Sequence, residues 1–389
     1  MPVDRLLPTS EAEELLFVVR AIATEQLAPR ASQAEADAEF ARDVFTLLGR
    51  TGLLSLPFAE EDGGGGQPYE VYLQVLEEIA TAWMSVGVDV SVHSLASYAM
   101  VRFGTDEQRA RWLPGMLGGE QLGGYALSEP QAGSDVSAIA TKAVRDGDDY
   151  VITGTKAWIS HGPHADFLLL FARTAPDARS GLSAFHVPLR SGPGESGGLE
   201  GMSFGAPEKK MGMTASTTTQ VLFDGARLPA DLRIGAEGDG MKIALSALDS
   251  GRLGIAACAT GLAQAALDLA VGYVGERRQF GRPVADFQGL QFMLADMASA
   301  VETARSQYIQ AARLRDAGRP FSRQASIAKL TATDAAMKVT TDAVQALGGY
   351  GYTRDFPAER YMREAKVTQI FEGTNQIQRM VIARSLLKG

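Results

Sequence analysis

The chain has 389 residues, 46% of them apolar, which exceeds a usual single core and suffices to bury two or three packed units. Its 46 acidic against 37 basic side chains leave a net charge of −9, which argues against a nucleic-acid-binding surface, because phosphate affinity depends on clustered Lys and Arg. The only cysteine, Cys258, excludes an intrachain disulfide and a thiolate metal cluster and fits a reducing compartment.

Ser10 with Glu13 makes a capping-box signature for a helix that runs to Leu27 and that Pro29 is expected to end. Glu11, Glu13 and Glu14 interrupt any apolar leader, so neither a signal peptide nor an organellar presequence is expected, and a cytoplasmic location is. No segment reads as membrane-spanning. Glycines 63 to 66 read as a surface loop, since the Lys and Ser or Thr of a P-loop do not follow them. Tyr69, Tyr72, Leu73, Leu76, Ile79 and Trp83 form one helical stripe, and Thr105 with Gln108 opens another helix that Pro114 is expected to stop.

From about Gly123 the texture changes to short β-type runs, at 150–153, 167–172, 184–187 and 220–223, with no helical segments between them. A βαβ sheet is therefore disfavoured, and a small antiparallel barrel or sandwich is predicted. Gly235, Gly238 and Gly240 have the wrong spacing for a dinucleotide fingerprint. After about Ile234 the chain is helical again. Following Pro283 and a possible cap at Asp286, Phe287, Leu290, Leu294, Met297, Val301, Ala304 and Tyr308 make a bundle seam, flanked by alanine-rich helices. The whole reads as α+β: a helical domain over 1–122, a β domain over 123–233, and a four-helix-type bundle over 234–389.

Three segments carry candidate chemistry. Tyr125 to Asp135 enters the β region with hydroxyls and glycines in a turn-rich setting, where backbone can approach a ligand. In Lys156 to Ser160, Trp158 and Ser160 are two residues apart, so on a strand both face one side, and the indole could cover a flat ring. The alternative is a core tryptophan beside a turn serine. Glu372 sits between two helix patterns, with Gly373 breaking the first and Thr374 able to cap the second. Phe371 beside it would limit water and raise its basicity, which makes it a candidate catalytic base. Alone, it reads more readily as a solvated loop glutamate, since most glutamates are exposed.

Taken together these residues resemble the acyl-CoA dehydrogenase family, through Tyr125 to Asp135, Lys156 to Ser160, Glu208 to Gly212, Asp249 to Arg252, Arg277 to Arg282, Gln345 to Gly351 and Ile370 to Gln376. The resemblance implies a helical, β-barrel, helical architecture and a noncovalent FAD. It also implies oxidation of an acyl-CoA thioester to its trans-2-enoyl form, with electrons passed to an electron-transferring flavoprotein. Glu372 then matches the base that removes the α-proton, its backbone N–H helping to bind the thioester carbonyl. Tyr125, Leu127, Ser128, Gly133 and Ser134 match the flavin-binding run, with Ser134 reaching toward the CoA arm, and Trp158 and Ser160 match the flavin face. Arg277, Gln279 and Phe280, with Gln288 and the loop carrying Gln345, Gly348 and Gly349, match contacts to the FAD of a neighbouring subunit, which implies a homotetramer. Thr374 and Gln376 match further FAD contacts. Asp249 and Arg252 match positions holding CoA, and Phe371 and Gly373 border the acyl group. Helix positions between Trp83 and Met100 are expected to line the far end of its pocket.

Some members carry the base on the helix near Arg252, but position 251 is glycine here, so Glu372 is the expected base. His161 stands next to the expected flavin face, where it could tune the flavin edge, and with His164 it forms His-Gly-Pro-His, to which no carboxylate cluster is added. Cys258 reads as a small core residue. Two other functions remain on the same fold: an acyl-CoA oxidase, and a flavoprotein or CoA-binding scaffold without turnover.

Overall fold

The computed structural model describes residues 3–177, 180–189 and 198–387. Six helices come first: α1 (Ser10–Ile22), α2 (Ala28–Asp37), α3 (Arg42–Arg50), α4 (Tyr69–Ala82), α5 (Met84–Phe103) and α6 (Asp106–Leu117). Thr9 rather than Ser10 caps α1, its hydroxyl accepting from the Ala12 amide. Pro29 does not end the helical run. A π-turn over Ala23–Leu27 joins α1 to α2 and places Pro29 in the first turn of α2, where a missing N–H costs nothing. Pro114 likewise lies inside α6, on an exposed face where the Ala110 carbonyl can turn to water. The Thr105–Gln108 capping box forms as expected.

The strands are β1 (Gly123–Ala126), β2 (Lys142–Asp146), β3 (Asp149–Ser160), β4 (Phe167–Arg173), β5 (Leu182–Pro188), β6 (Met202–Phe204), β7 (Thr218–Pro229) and β8 (Arg233–Ile234). They form one sheet in the order β6-β7-β3-β2-β4-β5-β8, with β1 added on β4. Most pairs are antiparallel, but β1 and β2 each run parallel to β4, so the sheet is mixed rather than purely antiparallel. The β2–β3 hairpin lies between β1 and β4 in the chain and supplies the long connection that parallel pairing requires.

The bundle follows with α7 (Gly240–Glu276), a hairpin of β9 (Arg278–Gln279) and β10 (Arg282–Pro283), then α8 (Gln288–Asp316), α9 (Ser322–Leu347), α10 (Ala358–Thr368) and α11 (Asn375–Leu387). Phe287, not Asp286, occupies the cap position of α8, and the seam buries Met297, Val301, Ala304 and Tyr308. Contrary to expectation, α7 is long and apolar enough to cross a membrane, but 83% of its most apolar window is buried inside the protein. It is a core helix. Two glycines let it lie close to its neighbours: a Cβ at Gly254 would come within 2.1 Å of Ser91 Oγ on α5, and one at Gly261 within 2.3 Å of the Glu77 carbonyl on α4. Glu77 in turn receives Arg5 and Arg305, and these two guanidiniums outweigh burial and hold its carboxyl down at about 2. Cys258 is buried within α7.

Candidate active site

Glu372 lies in the loop between α10 and α11, in a left-handed backbone conformation with φ 53°, and Gly373 follows at φ 84°. A non-glycine residue there costs roughly 1–3 kcal/mol, so its surroundings must hold it. Gln378 Nε2 donates to the Glu372 carbonyl at 3.3 Å and to the Gly373 carbonyl at 2.8 Å. Thr374 Oγ1 accepts from the Ile377 amide at 3.2 Å, which caps α11 as expected. The residue is half-buried as a whole, yet its Oε2 is sealed from solvent and has no hydrogen-bond partner. Burial pushes the carboxyl from 4.5 up to about 7, against the pull of Arg252 and Lys329. A carboxylate titrating near neutrality can both take and release a proton.

Gly251 on α7 makes room for that side chain. A Cβ there would sit 3.0 Å from Glu372 Oε2 and 3.3 Å from Leu95 Cδ1. From Gly251 a narrow crevice with a cavity volume of only ≈ 10 Å³ runs between α4, α5 and α7, lined by Tyr69, Tyr72, Ser91, Ser94, Leu95 and Tyr98 among others. Ser91, Ser94, Leu95 and Tyr98, all from the stretch between Trp83 and Met100, supply the α5 side of this crevice. Next to Gly251, Arg252 donates to Asp249 Oδ1 at 2.5 Å, and that oxygen also accepts from Ser322 at 2.9 Å. The Arg252 Nε is buried without a partner, and Phe371 is half-buried in the loop before the base.

The second cluster forms where β1 leads into its loop against β3. Leu127 is buried and Ser128 half-buried, while Gly133 and Ser134 are exposed farther along. Sequence reasoning missed what holds this loop. Glu129 is buried with Lys156 in a 2.7 Å ion pair, and it also accepts from the amides of Ala140 at 2.7 Å and Thr141 at 3.0 Å. Lys156 donates to the Leu127 carbonyl at 3.0 Å as well. Both residues lie inside the motifs that stood out, so their opposite charges were the available signal.

Trp158 sits in a bulge, at φ 63°, where the β3–β7 register shifts between Lys156 and Ile159. Its indole is 63% exposed, with Ile159 buried and Ser160 half-buried. The two expected flavin-face residues thus share an open side, through a bulge rather than regular alternation. His161, also left-handed at φ 69°, is wholly buried. Its Nδ1 is 2.8 Å from the Gly123 carbonyl and its Nε2 3.4 Å from Asp89. His164 stacks on Phe40, and among the described residues no group of acidic, histidine or cysteine side chains could hold a metal.

The remaining candidates are not gathered around Glu372 in the same enclosed way. Arg277 caps α7, Gln279 ends β9, Phe280 sits at the hairpin tip, and Gln288 opens α8, all exposed, with Phe280 at 92%. Gln345, Gly348 and Gly349 are exposed at the end of α9, and Gln376 is exposed on α11. One chain leaves these side chains open to solvent.

Sequence profiles of three consecutive domains match this chain: the acyl-CoA dehydrogenase N-terminal domain at residues 9–120, its middle domain at 124–226 and its C-terminal domain at 238–387. The chain belongs to the acyl-CoA dehydrogenase family. It is 42% identical over 383 residues to an acyl-CoA dehydrogenase of Bacillus subtilis, covering 98% of this chain and 99% of that protein. To the mitochondrial short-chain specific acyl-CoA dehydrogenase of Bos taurus it is 43% identical over 371 residues, covering 95% and 88%. Among solved structures, butyryl-CoA dehydrogenase from Megasphaera elsdenii superposes with a TM-score of 0.94 at 36% identity, covering 99% of this chain and 100% of that one. A chain from work on the electron transferring flavoprotein of Acidaminococcus fermentans superposes at 0.95 with 41% identity, covering 100% of both.

As a member of the acyl-CoA dehydrogenase family it is an oxidoreductase, and its cofactor is FAD. The residues present fit that group. An open indole lies beside a half-buried serine, and four of the six left-handed non-glycine residues among the described residues, Trp158, His161, Phe280 and Glu372, fall in or next to the segments singled out for cofactor and substrate, Ala38 and Met213 being the others. Such strained backbone concentrates at functional sites.

Proposed function

We propose that this enzyme dehydrogenates short acyl-CoA thioesters across the α,β bond, with Glu372 as the base, and passes the electrons to an electron-transferring flavoprotein. The observation that carries the reading is the sealed, unpartnered Oε2 of Glu372 in the space left by Gly251, a glycine that also lines the crevice between α4, α5 and α7. An α-proton beside a thioester is too weakly acidic for an ordinary carboxylate. Burial that lifts Glu372 to about 7 narrows the gap from one side. Hydrogen bonding to the thioester carbonyl, for which the Glu372 amide is suited, narrows it from the other. The proton passes from the α-carbon to Oε2, and FAD, when bound by the residues named below, would supply the acceptor for the β-hydride. Asp249 and Arg252 hold the CoA arm near the mouth, and Phe371 and Gly373 border the acyl group.

Tyr125, Leu127, Ser128, Gly133, Ser134, Trp158 and Ser160 bind the flavin of their own chain, joined by Thr374 and Gln376. Arg277, Gln279, Phe280, Gln288, Gln345, Gly348 and Gly349 reach the FAD of a neighbour in a cytoplasmic homotetramer, with Arg277 on the pyrophosphate. Their exposure in one chain supports this reading. The short-chain preference is supported by the relatives' names and the hydroxyl-rich crevice. The test is anaerobic bleaching of the flavin by butyryl-CoA against octanoyl-CoA. Bleaching by butyryl-CoA that is lost in Glu372→Gln is expected. An unchanged rate in that variant would refute the base, and rapid peroxide release on admitting air would identify an oxidase instead.

A further inference from the structure

Lys329 was not an expected site residue, yet α9 carries its ammonium into the base loop. The side chain is wholly buried, and Nζ donates to the Gly373 carbonyl at 2.9 Å and to Asn375 Oδ1 at 2.9 Å. One turn along α9, Thr333 and Asp334 grip the same loop. Asn375 Nδ2 donates to Thr333 Oγ1 at 2.9 Å and to Asp334 Oδ1 at 2.8 Å, and Gln369 Nε2 donates to Asp334 Oδ1 at 2.7 Å. The Asn375 amide closes the loop on the Gln369 carbonyl at 3.0 Å. Both ends of the loop that carries the base are therefore tied to one helix face.

Holding a carbonyl needs only a neutral donor, and a buried cation is expensive unless negative charge compensates it. Among the described residues no carboxylate comes within ion-pair distance of Lys329. The negative groups that act on it are Glu372 first and Asp334 second, with Arg252 opposing them. Glu372 in turn faces Arg252 from α7, Lys329 from α9 and Tyr125 from β1. We infer that Lys329 is a positioning residue for the base: its contact with the Gly373 carbonyl holds the left-handed turn, and its charge stabilises the carboxylate form of Glu372. The inference rests on Glu372 being the base proposed above, and it assigns the lysine a role distinct from packing.

Its test reads Glu372 directly in the FAD-loaded protein, without substrate. Infrared titration follows the protonated-carboxyl band that Glu372→Gln removes. Losing a cation beside a buried carboxylate raises its titration midpoint by about one pH unit or more. That rise is expected in Lys329→Met, and equally in Lys329→Gln, which keeps a donor for the Gly373 carbonyl but not the charge. Thr333→Val cuts a contact to Asn375 and leaves the charge, so its midpoint should match wild type. An unmoved midpoint in Lys329→Gln, or an equal rise in Thr333→Val, would overturn the inference. Failure of every acyl-CoA to bleach the wild-type flavin would instead strike the proposed reaction and leave this titration unaffected.

Discussion

Replacing Glu372 with glutamine should stabilise the protein above neutral pH while abolishing its chemistry. A carboxyl raised from 4.5 to about 7 binds its proton more tightly in the folded chain than in the unfolded one. Below about pH 4.5 both states are protonated, and burying the group carries no ionic cost. As pH rises toward 7 the unfolded chain releases its proton first, so native stability falls through that window. At about 1.4 kcal/mol per pH unit the loss totals roughly 3 kcal/mol. Glutamine has nearly the same shape and carries no charge, so it escapes this cost. Urea unfolding of the wild type and Glu372→Gln across roughly pH 5 to 8 should show a gap below about 1 kcal/mol at the acid end that widens to about 3 kcal/mol at the alkaline end. A gap independent of pH, or a variant less stable at the alkaline end, would refute the reasoning that burial raises this carboxyl.

The same carboxyl must be ionised to act, so the rate of flavin bleaching by butyryl-CoA should rise with pH and reach half its plateau near 7, as stopped-flow traces across pH would show. Gly251→Ala places a methyl group 3.0 Å from Glu372 Oε2 and should lower kcat about tenfold by displacing the base a few tenths of an ångström. Its melting temperature should hold, because alanine favours the α7 interior by up to about 1 kcal/mol; a parallel fall in both would point to general damage. Lys156→Met leaves Glu129 buried without its cation, and urea unfolding should show a loss of about 3–5 kcal/mol. Arg277→Gln, on an exposed position, should weaken FAD retention in a flavin release assay and change the chain's own stability by no more than about 0.5 kcal/mol.

Periodicity and punctuation exposed most of the architecture. The α4 stripe up to Ile79, the α8 seam from Leu290 onward and the four β-type runs fall within observed elements, while Trp83 and Phe287 sit at helix caps. Proline misled where context changed its meaning: at Pro29 a π-turn absorbed the residue, and at Pro114 solvent did. Local patterns carry no information about strand direction, so the parallel partners of β4 were out of reach. The Glu372 loop was legible because Gly373 and Thr374 mark its end and cap locally.

The amino-acid order by itself determined the element types, the placing of a lone loop glutamate between two helices, and the motifs that match a flavoenzyme family. Only the tertiary structure decided what surrounds that glutamate: a glycine on α7 whose missing Cβ leaves room for Oε2, an arginine beside it, and a buried lysine on α9. Those three lie 121, 120 and 43 positions upstream of Glu372 along the chain. A short-range pattern senses only neighbours a few residues apart, whereas burial and charge act through space, and they set how strongly the carboxyl binds its proton.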